Sequence, residues 1–276
     1  MPFVELHCHS AYSFLDGASH PEELALRAAE LGYEAIALTD HEGVYGSLEL
    51  AHAAKLAGVR AITGAEVTLV GGAHVTLLVE SPQGYSNLCR LLTAAHARTR
   101  PKEGELLPPA LDPALLAELN DGLVCLSGCA RQGLGVRDPN AAAELARVFG
   151  PGRFYVELQR PFERGDVHRN ALLRDLAAHA GVQTVVTGNV HAHTLRRTAL
   201  QDVLVAIRNH SSLESCERER RGNRESILRA PAEMLDLFPD DRDAVLRTAE
   251  VAARLEFDLT QELGYRYPDF SDGAMP

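Results

Sequence analysis

The feature that most constrains this chain is an alternation that fills its first two-thirds: short runs of β-branched and apolar residues, each followed by a stretch with helical periodicity. Such a pattern specifies a parallel sheet covered by helices. Strands are expected at Phe3 to Leu6, Ala35 to Thr39, Ala61 to Leu69, Val75 to Glu80, Leu123 to Ser127, Phe154 to Leu158 and Thr184 to Thr187. Helices are expected between most of them, including Pro21 to Leu31 with Pro21 in its first turn and Gly32 as its stop, Ser47 to Leu56, Ala141 to Val148 and Asn170 to Ala180. Seven strands suit an α/β barrel, and an open doubly wound sheet gives the same local pattern. One connection breaks the alternation, because only Gly71 and Gly72 separate two strands, which reads as a two-residue hairpin turn. Strict pairing across it sets Leu69 opposite His74 and puts Glu66 and His74 on opposite faces, unless a bulge near Val67 intervenes. Residues 195–256 are mostly helical by pattern, so the main domain is expected over 1–256, with 257–276 as a linker or tail.

Composition narrows the function classes. In a chain of 276 residues, 46% hydrophobic and 24% charged residues are the balance of a globular protein. No apolar run reaches the ~18 residues of a membrane span, and the N-terminus lacks the flanks of a signal peptide, so a cytoplasmic protein without a membrane partner is expected. The 27 basic and 38 acidic residues give a net charge of −11, which repels polyanions over most of the surface, so any DNA contact must be local. Five cysteines, at 8, 89, 125, 129 and 216, are too irregularly spaced for a disulfide framework.

The chemistry gathers where strands run out. A period of two puts the imidazoles of His7 and His9 on one face and Leu6 and Cys8 on the other. Asp16 sits in a glycine-flanked turn, Asp40 and His41 follow AIAL, Glu66 ends AITGA, Cys129 follows LVCLSG, and His191 and His193 follow VVTGNV. Residues at the carboxyl ends of strands converge on one mouth in barrels and open sheets alike. Imidazole, carboxylate and thiolate donors together suit zinc, with manganese or iron tolerated. One tetrahedral ion uses ~4 ligands and this mouth offers about twice that, so two or three divalent ions are expected. Ions ~3.5 to 4 Å apart support in-line displacement at phosphorus. Plainer readings stand beside these: Asp16 as a turn former, Cys129 as a buried apolar residue, and Asp40 as the partner that orients a neighbouring histidine.

In this order and spacing, ELHCHSAYSFLDG, LTDHEGVYG, GAEV, AHVTLLV, LSGC and TGNVHAH resemble the PHP (polymerase and histidinol phosphatase) family. SFLDGAS, GYSNLCRLL, FYVELQR, LRAPAEM and GYRYPDF are similar to the N-terminal PHP domain of bacterial DNA polymerase III alpha subunits, most of all the error-prone type. The resemblance implies a distorted seven-stranded (β/α)7 barrel with its metal site at the C-terminal ends of the strands. Carried over position by position, His7 and His9 share a first ion, and Glu66 bridges it to a second held also by His74 and Cys129. Asp16, His41 and His191 hold a third. His74 is chosen by the resemblance and not by periodicity. The ninth ligand position, usually aspartate, is Asn189, a neutral and weaker donor. His193 either compensates or sits at the rim, and Asp40 lies behind the ligands.

The function implied is a metal-dependent phosphoesterase of the 3′–5′ exonuclease type in DNA replication or repair. It would act on a DNA 3′ end or another phosphoester, with ion-activated water as nucleophile and no side chain assigned as catalyst. A structural PHP module that stabilises or docks a polymerase is the alternative that Asn189 favours; a stand-alone histidinol-phosphatase-like enzyme is a third. The closely spaced aspartates of a polymerase palm are not found, so nucleotide addition is not expected of this chain alone. A polymerase region, in cis or in trans, is the expected partner.

Overall fold

The structure is a computed structural model that describes residues 3–101, 104–217, 219–220, 222–261 and 263. Among these, six strands form one sheet in chain order: β1 (Ala35–Leu38), β2 (Arg60–Thr68), β3 (His74–Val79), β4 (Leu123–Leu126), β5 (Phe154–Leu158) and β6 (Gln183–Val186). Pairing is parallel except at β3, which runs antiparallel to both neighbours. The connections carry α1 (Pro21–Glu30), α2 (Ser47–Ala57), α3 (Pro82–His96), α4 (Ala114–Glu118), α5 (Leu134–Arg137), α6 (Pro139–Phe149) and α7 (Asp166–Ala180). Beyond β6 follow α8 (Thr198–Arg208), α9 (Pro231–Leu237) and α10 (Arg242–Arg254). Local chemistry sets the ends of these helices. Pro82 and Pro139 open α3 and α6 behind the capping side chains of Ser81 and Asp138, and Gly58 and Gly181 close α2 and α7 in the left-handed conformation.

Two apolar layers hold the sheet. The larger lies between sheet and helices and includes Leu24, Leu50, Leu91, Phe149 and Leu173. The smaller joins Val4, Leu6, Ala37, Ile62, Leu78, Val124 and Val185 to Val251, Ala252 and Leu255 at the C-terminal end of α10. That helix seals the amino ends of the strands. Thr248 Oγ1 accepts from Val4 N at 3.0 Å, Arg60 donates to the carbonyls of Ala252 and Leu255 at 2.7 and 2.6 Å, and Arg247 donates to Thr184 O at 2.6 Å. The carboxyl ends are left as the open mouth.

The α/β curl matches the barrel expectation, but the first expected strand does not form as one. Phe3 to Leu6 makes only an isolated bridge from Glu5 to Ile36, and Cys8 makes another to Val190. Residues 3–9 thereby span the gap between β1 and the segment after β6, with Ala37 N donating to Glu5 O, Thr39 N to Cys8 O and His9 N to Val190 O, each at 2.8 Å. The reason is a break in alternation. Val4 and Leu6 belong to the inner apolar group and Cys8 to the outer one, while His7 and His9 face the mouth, so the inward set shifts between Leu6 and His7. A continuous ladder cannot follow such a shift.

The hairpin between β2 and β3 also departs from its sequence reading. Thr68 pairs with His74 and Glu66 with Thr76, and Leu69 N donates to Ala73 O at 2.7 Å, so the loop has three residues, Val70 to Gly72, and not two. Gly71 and Gly72 take φ of 102° and 84°, which glycine adopts at little cost. The one-residue shift puts Glu66 and His74 on the same face, so no bulge at Val67 is needed. At the far end, packing continues beyond 256: Phe257 stacks on Tyr85 with centroids 5.1 Å apart and Leu259 is buried. The expected tail over 264–276 lies outside the described residues. No described helix is long and apolar enough to cross a membrane.

Replacing Thr248 with valine removes the acceptor for the Val4 amide while keeping side-chain shape. The loss expected is about 1–3 kcal/mol, measured by urea denaturation with an unchanged slope.

Candidate metal centre

The mouth assembles side chains from seven separate segments. His7 and His9 come from the bridging segment, Asp16 from the loop before α1, and Asp40 and His41 from the two residues that follow Thr39 after β1. Glu66 lies near the end of β2, and His74 begins β3, whose reversed direction brings its first residue to the same end. Cys129 follows β4, and Asn189 and His191 follow β6.

Glu66 is the hub. Its Oε2 lies 3.5 Å from His7 Nε2, 3.3 Å from His9 Nε2 and 3.1 Å from His41 Nδ1, and its Oε1 lies 3.1 Å from His74 Nδ1. His7 Nε2 and His9 Nε2 are 3.1 Å apart. On the other side of His41, Nε2 is 3.3 Å from Asp16 Oδ2, and His191 Nε2 is 3.6 Å from the same oxygen. Three triplets, His7–His9–Glu66, His9–His41–His191 and His41–Glu66–His74, each offer one donor atom per residue within 4.8 Å of the others. Around a tetrahedral ion with bonds of ~2.0–2.1 Å, neighbouring donors lie roughly 3.3 Å apart. The first triplet's three edges match that spacing, so the donor set fits a divalent cation.

Electrostatics favour the donor forms of Glu66 and His9 and oppose those of His7 and Cys129. Burial pushes the Glu66 carboxyl up, but His41 and His7 outweigh it and hold the group well below the usual carboxylate range. Burial, with His191 and His41 beside it, lowers His9 well below the ordinary imidazole value, leaving it neutral with a lone pair to give. His7 goes the other way: burial opposes its proton, yet Glu157 and Glu66 together raise it well above the ordinary value. Burial and the adjacent Glu66 push the Cys129 thiol up to about 11, so a thiolate here needs a cation beside it.

Behind the donors lies a hydrogen-bonded frame. Asp40 accepts from Ser10 N, Ser10 Oγ and Ser13 Oγ at 2.6, 2.7 and 2.7 Å, and Ser13 Oγ in turn meets His9 Nδ1 at 3.0 Å. Asp40 thus reaches His9 through Ser13. His193 turns from the mouth to Ser19 Oγ, 2.8 Å from its Nδ1. Asn189 has φ of 47°, an unusual value for a non-glycine residue, and its Oδ1 is buried without a hydrogen-bond partner. Asn189 and Cys129 both line a cavity of about 620 Å³, together with Asp16, His41, Glu66, His74 and His191.

Sequence reasoning missed Glu157. Its Oε1 lies 2.7 Å from His7 Nδ1 and is bonded by Gln159 and Thr187, so it fixes which ring nitrogen of His7 faces Glu66. The available signal was a lone carboxylate on the inward face of an otherwise apolar and aromatic strand, FYVEL. Arg131, Arg208 and Phe14 also line the cavity and carry no motif spacing that would have singled them out.

The PHP domain family matches residues 5–161. An error-prone DNA polymerase of Symbiobacterium thermophilum is 38% identical over 298 residues, covering 100% of this chain and 27% of that protein. One from Cutibacterium acnes is 38% identical over 297 residues, covering 100% and 26%. The chain thus spans about a quarter of the length of these relatives. Among solved structures, a Bifidobacterium adolescentis protein assigned as a metal-dependent phosphoesterase superposes with a TM-score of 0.53 at 15% identity, over 68% of this chain and 87% of that one. An amidohydrolase of Chromobacterium violaceum, solved with sulfate and no metal, gives 0.52 at 17% identity over 69% and 88%. At these identities the two structures speak to the fold.

Replacing Glu157 with glutamine should lower the His7 pKa in metal-free protein, read from imidazole resonances in an NMR titration. Because the folded-state value is raised, the His7–Glu157 pair stabilises fully below the unfolded imidazole value of ~6.5, and that stability is lost as pH rises through the folded value. The variant should therefore show a flatter stability profile across that window.

Proposed function

The chain belongs to the PHP domain family, and on that footing we propose that it is the PHP domain of an error-prone-type DNA polymerase III alpha-like protein, a metal-dependent phosphoesterase that hydrolyses phosphodiesters at DNA 3′ ends. The observation that carries this reading is one buried carboxylate, Glu66, with four imidazoles within 3.5 Å of its oxygens. His7, His9 and Glu66 would hold one divalent ion, Glu66, His74 and Cys129 a second, and Asp16, His41 and His191 a third, with Asn189 as a neutral ninth donor. Zinc suits this mixture of nitrogen, oxygen and sulfur, while manganese or iron remains compatible with the imidazole and carboxylate majority. When bound, the ions supply Lewis acidity and activate water for attack on phosphorus.

The protein's own residues do the rest. Glu157 keeps His7 in the tautomer that presents Nε2, and Asp40 acts on His9 through Ser13. Burial of His7, His9 and Glu66 keeps bulk water away from the donors. Arg131, paired with Glu163, and Arg208, 3.6 Å from Asp16 Oδ2, put two guanidinium groups on a cavity wall that also carries Asp16, Glu42, Glu66 and Glu219, so they offer a phosphate local contacts and not a net positive field. The polymerase region is the proposed partner, in cis in a longer chain or in trans, working in replication or repair in the cytoplasm. One observation favours a second reading, a PHP module that docks or stabilises the polymerase without turnover: Asn189 removes a negative charge where the family pattern has aspartate.

Metal analysis of the purified protein, with hydrolysis of single-stranded DNA or a chromogenic phosphodiester, separates the two. Bound zinc, manganese or iron and ion-dependent hydrolysis support the enzyme; neither supports the structural module. His9→Ala and Glu66→Ala should each lower ion affinity by more than ~100-fold, since even supporting partners cost ~10–100-fold. Asn189→Asp should tighten ion binding roughly 10-fold by adding a charge to the cage. Ion affinity should rise with pH as the raised His7, His74 and Cys129 lose their protons, seen as proton release in calorimetry.

A further inference from the structure

Phe14 is held at the mouth with its side chain in solvent. It is 81% exposed, the most exposed phenylalanine among the described residues, yet its loop is rigidly built. Asp40 ties down Ser10 and Ser13, and Ser13 O accepts from Asp16 N and Gly17 N, both at 2.9 Å. Leu15 takes φ of 59°, and a Cβ on Gly17 would sit 1.9 Å from Ser10 O, so the turn tolerates only this sequence type. A single bare aromatic ring is ordinary on a protein surface; Phe14 is set apart by its place, on a held loop at the wall of the candidate metal centre.

The ring also divides two spaces. On one side is the 620 Å³ cavity of the candidate metal centre with Arg131 and Arg208; on the other is a pocket of about 190 Å³ lined by Leu15, Leu200, Leu204, His20 and Arg197. The smaller space suits one flat heterocycle and is too small for a longer stretch of chain. An aromatic face beside guanidinium groups is how single-stranded nucleic acid is bound without sequence preference, the bases stacking and the cations meeting phosphate. A net charge of −11 repels a polyanionic backbone over most of the surface, so recognition is expected to rest on a few contacts next to the reacting phosphate.

Building on the phosphodiesterase reading above, we propose that Phe14 is the stacking wall for the nucleobase adjoining the phosphodiester in the cavity, which makes the substrate class a single-stranded oligonucleotide end. The test is binding of a single-stranded DNA octamer by the metal-loaded protein, followed by fluorescence anisotropy, with a phosphorothioate at the 3′-terminal linkage to slow hydrolysis. Two versions are compared, one with a 3′-terminal base and one with an abasic sugar there. The wild type should bind the base-bearing end at least about 10-fold more tightly, Phe14→Ala should erase that preference, and Phe14→Tyr should keep it. Equal binding of the two ends by the wild type, or an unchanged preference in Phe14→Ala, overturns the inference. Ion-dependent hydrolysis of bis(p-nitrophenyl) phosphate by the wild type is scored separately. Hydrolysis without base preference sinks the stacking wall and leaves the phosphoesterase; base preference without hydrolysis does the reverse.

Discussion

The structure turns on a single carboxylate taken out of water. A buried charge of this kind is costly unless compensated, and Glu66 is compensated by four imidazole nitrogens drawn from three different segments. That requirement explains the mouth's construction. His7 and His9 must come from the bridging segment, His41 from the turn after β1 and His74 from the far side of the hairpin, so the fold has to bring those segments together for the carboxylate to be tolerated at all. Opposite pulls on His7 and His9, one held protonated by Glu157 and the other kept neutral by its neighbours, show how finely position sets charge within a few ångströms.

Much of this was legible beforehand. Six of the seven expected strands appear close to their expected bounds, since their β-branched runs are bounded by turn residues, and the residues after them supply most of the mouth's donors. What was not legible was geometry decided by one residue. The Gly71–Gly72 turn reads as a two-residue loop, and it is the observed three-residue loop, not a bulge near Val67, that reconciles Glu66 with His74. The N-terminal run looks like a strand because Phe3 to His9 alternates acceptably on paper, but Leu6 and His7 both turn inward, which local sequence does not reveal. Glu157 was hidden for a related reason: its role depends on a contact 150 positions away in the chain.

The two ends of the curl divide labour. α10 seals the amino ends with hydrogen bonds and aliphatic packing, while the carboxyl ends carry polar side chains that, Asn189 Oδ1 apart, largely satisfy one another. Such a division lets the donors be arranged for chemistry while cohesion is supplied elsewhere. It also fits a chain that spans about a quarter of its polymerase relatives, because a unit with its own sealed core can be carried within a much longer polypeptide.

The scant stitching of residues 3–9 has a mechanical corollary. A ring closed by a handful of backbone bonds opens first at that seam, well before its continuous ladders yield. The same stretch bears His7 and His9, so any cation gripped by them and by Glu66 acts as a clasp across the gap. On the proposed ion site, occupancy and ring closure would be one thermodynamic event, in which losing the ion would loosen the N-terminus and tugging on the N-terminus would expel the ion.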